Sequence, residues 1–133
     1  MQYKQKRSRG FFDEDYRLKK LTRCNDPLIK LNQRIKWEIF RQILEESLIK
    51  ETRGIGGCLP YDYVLMFKIL ILQRYYSISD DKTEFAILDR LSFMRFLGIT
   101  LSDKVPDAKT IWHFREKLRQ AGLIEKLFEL FKA

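Results

Sequence analysis

Histidine occurs once in this chain, cysteine twice and proline three times in 133 residues. Each scarcity excludes something. Cys24 and Cys58 stand far apart in no CxxC pair, and His113 cannot complete a zinc site with them. The cysteines therefore read as reduced thiols, as in a cytoplasmic protein, rather than a disulfide framework or zinc module. No Cys, Ser or carboxylate lies at motif spacing from His113, so nucleophilic catalysis has no candidate. Met1 is followed by Gln2, Tyr3 and Lys4 instead of an apolar run, which argues against a secretory leader. No apolar stretch reaches the ~20 residues of a membrane span. Internal repeats and low-complexity runs are absent.

Apolar residues make up 45% of the chain, enough to fill a core. The densest stretch is Val64 to Leu72, interrupted only by Lys68. It lies in a segment, Pro60–Tyr76, whose apolar residues fall on every side of a helical wheel. Such a helix is buried all round, so it should be the central rod of a small helical domain. Charge is uneven. Of the net +8, residues 1–36 carry eleven bases against four acids, and residues 37–133 carry fifteen against fourteen. A basic N-terminal quarter on a near-neutral body suits a polyanion such as nucleic acid, or serves only solubility.

Residues 1–10 read as a flexible basic arm carrying Lys4, Lys6, Arg7 and Arg9. A short helix Asp13–Leu21 follows, acids first and bases last, as the helix dipole favours. Asp26-Pro27 starts a helix to about Lys50, with a possible break near Lys36-Trp37 and a stripe of Leu28, Leu31, Ile35, Ile39, Phe40, Ile43 and Leu44. Arg53–Gly57 is the glycine-rich linker. It divides residues 1–53, the arm and N-terminal helical region, from 54–133, a helical region around 60–76. Ser79 should cap a helix Asp80–Leu91 packed through Phe85, Ile87, Leu88 and Leu91. Ser92 should cap Phe93–Leu97, and Gly98 should end it. Asp107 caps Ala108–Ala121, Gly122 stops it, and Leu123–Phe131 is a last amphipathic helix that looks cut off. The fold class is all-α, a compact bundle of about six or seven helices with a helix-turn-helix-like unit.

The segment Ala108–Ala121 has the make-up of a recognition helix. Ile111, Phe114 and Leu118 share one face of ~60°. Lys109 and Thr110 lie on its first turn, where they would meet base edges, and Trp112 and His113 lie on its outer side as further contact candidates. Arg115, Lys117 and Arg119, with Lys104 in the preceding loop, could neutralise phosphates. Arg7 and Arg9 of the arm are further candidates. A basic outer face is more often merely solvated, and His113 more often a plain surface histidine. Trp112, off the apolar stripe, tilts the balance towards contact. Either Asp80–Leu91 supports and Ala108–Ala121 reads, or Phe93–Leu97 reads with Arg90 and Arg95. The first is favoured because the second reader is short and apolar.

Several motifs carry a resemblance. They are Leu59-Pro60-Tyr61-Asp62, Leu72–Asp80, Asp89–Gly98, and Val105–Trp112 with Phe114-Arg115-Glu116. Phe11–Asp15 and Asp26-Pro27-Leu28 join them, with Ile35, Trp37, Glu38 and Phe40. Together the chain is similar to the N-terminal region of bacterial insertion-sequence transposases of the IS-five type. It departs at Cys58 and Lys36, where a base and an acid are common. The resemblance implies a domain that binds double-stranded DNA at terminal inverted repeats. In the family it precedes a catalytic domain whose Asp-Asp-Glu triad holds Mg²⁺. That domain is expected to be absent here, so no enzyme activity and no cofactor are expected. Asp80, Asp81 and Asp103 are not promoted to the triad. The alternative function is a dimerisation module, homodimeric or mixed with full-length transposase, that inhibits transposition through the apolar faces of Pro27–Lys50 and the last helix. The expected location is the bacterial cytoplasm, near the nucleoid.

Overall fold

In the computed structural model, which describes residues 8–52 and 61–132, the apolar stretch is the buried axis. Eight helices are formed among the described residues: α1 (Asp13–Arg23), α2 (Pro27–Arg34), α3 (Trp37–Thr52), α4 (Tyr63–Tyr76), α5 (Asp80–Asp89), α6 (Leu91–Leu97), α7 (Ala108–Gln120) and α8 (Ile124–Lys132). No strand occurs among those residues, and the protein is all-α. None of these helices is long and apolar enough to cross a membrane.

Asp62 caps α4 by accepting from Leu65 N, and Pro60 lies outside the described residues. Every residue from Met66 to Leu72 is buried. α3, α5, α6 and α7 pack around α4, and α8 joins through Phe128, whose ring lies 5.6 Å from that of Phe67. The core cluster includes Leu28, Phe40, Leu44 and Leu48 from one side of the glycine linker and α4 to α8 from the other. The linker itself, with Cys58, lies outside the described residues.

Lys68 is almost wholly buried. It is 9% exposed. Its ammonium donates to Phe96 O at 2.9 Å and Asn32 Oδ1 at 3.1 Å and lies over the Trp37 ring at 4.6 Å. Trp37 Nε1 donates to the same Asn32 oxygen at 2.8 Å. Burial favours the neutral amine and pulls its pKa below the ordinary lysine value. One charge thus joins α2, α3, α4 and α6.

The break expected near Lys36-Trp37 is complete: Ile35 adopts extended backbone, and α3 restarts at Trp37. Three expected placements change. The break resets the helical phase. Phe40, Leu44 and Leu48, four residues apart, form the inner face, while Ile39 turns outward at 50% exposure. On α5, Ile87 is buried with Thr83 and Ala86, but Phe85 and Leu88 face solvent. Arg90, not Ser92, occupies the cap position of α6, which begins at Leu91 without a side-chain cap. Gly98 ends α6 with φ +77°, a left-handed conformation that favours glycine.

α1 buries no residue. Its hold on the body is Arg95 of α6, which donates to Leu18 O at 3.1 Å and Thr22 Oγ1 at 2.8 Å. The same guanidinium pairs with Asp26 at 2.8 Å. Asp26 also caps α2 by accepting from Leu28 N.

Candidate nucleic-acid interface

α7 forms where its sequence directs. Asp107 Oδ1 accepts from Thr110 N at 2.8 Å, the expected N-cap. Hydrogen bonding from Thr110, side chain first and backbone second, holds the Asp107 carboxyl below its ordinary pKa. Ile111, Phe114 and Leu118 are buried against the core, and Tyr63 of α4 stacks on Phe114 with centroids 6.3 Å apart.

α5 supports α7 from the side. Arg115 makes a two-pronged contact with Asp80, NH1 to Oδ1 at 2.8 Å and NH2 to Oδ2 at 2.7 Å. Gln73, near the end of α4, donates to Asp80 Oδ1 at 2.6 Å and accepts from Arg115 NH1 at 3.1 Å. The Arg115 hydrogen bonds hold the Asp80 carboxyl below its ordinary range, and the same contact raises the Arg115 pKa. One turn further along α5, Glu84 Oε1 accepts from Ala108 N at 2.8 Å. The start of α5 thus meets the later part of α7, and its middle meets the start of α7. The two helices run antiparallel.

The outer face that results carries Lys109, Trp112 and His113, all exposed. Trp112 is 45% exposed and meets the His113 ring edge to face at 5.1 Å. Thr110 and Lys117 are half-buried, and Lys104 is exposed in the loop before the helix. Arg119 is exposed and paired along the helix with Glu116 at 2.7 Å. Arg9 is exposed on the N-terminal segment; Arg7 lies outside the described residues. Arg115 is placed differently from the rest, turned sideways onto Asp80 as an internal tie. Sequence reasoning missed this pairing because Asp80 reads as an ordinary first-turn acid and Gln73 as an ordinary surface residue.

Two carboxylates, Asp107 and Glu84, already occupy first-turn amides of α7. This end of the helix is therefore no empty anion cradle, and a phosphate would have to be met by side chains. α6 has no outward reading face: Phe93, Met94, Phe96 and Leu97 are buried, and its Arg95 is turned inward to Asp26. The apolar faces of α3 and α8 also serve the core, through Phe40, Leu44, Leu48, Leu127 and Phe128.

Nothing in the described residues assembles a metal centre. Asp80 is tied to Arg115, and Asp103 Oδ2 accepts from Thr100 N at 2.7 Å. No group of three His, Cys, Asp or Glu is placed to hold an ion among the described residues.

The architecture is that of a small helical domain built around a buried rod, with one basic, tryptophan-bearing helix face held at a fixed angle by an ion pair. Residues 16–117 match the family model of the transposase domain DUF772. This is most of the chain, and the chain belongs to that family. No solved structure matches it.

Proposed function

We propose that this chain is a sequence-specific DNA-binding domain acting in transposition, and that it recognises the terminal inverted repeats of an insertion sequence of the IS-five type. α5 supports and α7 reads, as a helix-turn-helix-like pair with a long connection. The observation that carries this reading is the division of α7. Its apolar stripe is fully committed to the core, and its remaining first-turn surface offers Lys109, Trp112 and His113 to solvent. Lys109 and Thr110 meet base edges, Trp112 and His113 pack on the groove wall, and Lys104, Lys117 and Arg119 meet phosphates. The arm, with Arg7 and Arg9, adds further phosphate contacts. Arg115 orients α7 instead of touching DNA. Strand cutting and joining, with its Mg²⁺, is assigned to the catalytic domain of the family and not to these residues.

Titrating the chain against element-end duplex and random duplex at several salt concentrations tests the reading. Affinity should fall steeply with salt as counterions are released. Each lost phosphate contact should lower the slope of log K against log salt by ~0.9. Lys109→Ala should cost about 1–3 kcal/mol of preference for the end sequence. A flat salt response, or equal affinity for random duplex, refutes the proposal.

A further inference from the structure

α5 leaves an apolar face uncovered. Phe85 is 69% and Leu88 57% exposed, on the side opposite the buried Thr83, Ala86 and Ile87. At 100° per residue Leu88, Asp81, Phe85, Asp89 and Lys82 fall in that order within an arc of ~120°. Asp81, Lys82 and Asp89 are exposed, and none takes part in an ion pair among the described residues. The charges are arranged about a centre. Lys82 and Asp89 share one flank of the arc, near the two ends of the helix, and Phe85 lies close to their midpoint along it.

We propose that this face binds a second copy of the chain, α5 against α5, antiparallel about a two-fold axis passing beside Phe85. Such an axis reverses position along the helix and keeps the flank. It therefore sets Lys82 opposite the partner's Asp89, and Asp89 opposite the partner's Lys82. The two Phe85 rings meet near the axis, and Leu88 packs beside the partner's Phe85. A parallel pairing exchanges the flanks: Lys82 then meets the partner's Asp81, but Asp89 falls opposite the partner's Leu88 with no base to meet. The face is self-complementary in the way an isologous contact requires. It is also small. A contact centred on one ten-residue helix falls below the ~1,200 Å² of standard interfaces, so the dimer is weak and concentration-dependent. This goes beyond the DNA-binding reading and does not depend on it. It places the two α7 helices of a dimer about one axis.

Sedimentation of the full chain from dilute to near-millimolar concentration tests it, with helicity of every variant checked by circular dichroism. The expected result is a reversible monomer–dimer equilibrium that Phe85→Asp abolishes while helicity is kept. Lys82→Glu should weaken the dimer about tenfold, because each copy then sets two acids against each other. Lys82→Glu combined with Asp89→Lys should restore it. A chain that stays monomeric throughout overturns the proposal, whatever else covers the face. So does a dimer indifferent to Phe85→Asp, or a charge reversal that the second reversal fails to rescue.

Discussion

Asp80→Asn isolates the tie that sets α7. The asparagine keeps the volume and an oxygen for Gln73, and removes the charge that Arg115 grips with two bonds of 2.7 and 2.8 Å. Hydrogen bonds to charged groups contribute ~1.5–3 kcal/mol. The Arg115 side chain is 34% exposed and that of Asp80 22%, so water can replace part of the contact and the low end applies. Loss of an acid from the first turn of α5 adds ~0.3–1 kcal/mol. The sum is about 2 kcal/mol at neutral pH, or roughly 5–10 °C in melting temperature for a chain of this size. The pH dependence gives a second reading. Arg115 depresses the folded pKa of Asp80 below its ordinary 3.8. The stabilisation is therefore complete above that ordinary value and disappears as pH falls through the lower folded value. Wild type and variant should converge in acid. Thermal melts across pH, with Arg115→Gln completing a double-mutant cycle, should show a coupling of ~1 kcal/mol or more at neutral pH. Arg115→Gln should also leave the salt slope of DNA binding unchanged. Additive single effects, or a difference that persists undiminished in acid, would refute the tie; a lowered salt slope would return Arg115 to the phosphate contacts.

Lys68→Ala should cost about 3–4 kcal/mol by urea denaturation, since it opens a cavity and strands the Phe96 carbonyl. Lys68→Met, which keeps the stem volume, should cost about half as much, and equal losses would show that the stem packs nothing. Arg95→Ala should cost about 2–3 kcal/mol because the Asp26 side chain is only 5% exposed. Hydrogen exchange should then accelerate across Asp13–Arg23 and stay slow in α4; unchanged protection of α1 would mean that it is held by something other than Arg95.

The elements were legible where a local signal coincided with the tertiary one. Asp26, Ser79 and Asp107 were readable as caps because the motif is contained in three or four residues. α4 was readable because nine nearly unbroken apolar residues admit no exposed face. The stripe of α7 was readable because Ile111, Phe114 and Leu118 leave one consistent phase. Failures came where phase depended on a break or a neighbour. Ile39 was assigned to the core by extending the stripe of Pro27–Arg34 through Ile35 and Lys36, and the extended residue there rotates everything after it. Phe85 and Leu88 were assigned to the core on type alone, although Thr83 and Ala86 are the smaller residues that α5 turns inward. Arg115 was assigned outward because its partner lies 35 residues earlier, a distance that no local pattern spans. The fold class was therefore readable in full. The outer face of α7 was readable in part, because an outward position on a wheel does not reveal which cation another helix will claim.

The buried ammonium of Lys68 has a consequence for how α4 is seated. A helix apolar on every side has only a weakly preferred angle of rotation about its own axis, because exchanging Leu, Ile and Met among neighbouring sites changes the packing by less than ~1.5 kcal/mol at each. Hydrophobicity alone would leave α4 nearly free to turn like a smooth bolt in its sleeve. Only one setting brings the Lys68 amine to Asn32, Phe96 O and Trp37 at once. A turn of 100° would strand an ammonium in hydrocarbon at several kcal/mol. The charge acts as a keyway. By fixing the angle of α4 it also fixes where Tyr63 meets Phe114 and where Gln73 meets Asp80, and so the direction in which α7 presents Lys109 and Trp112.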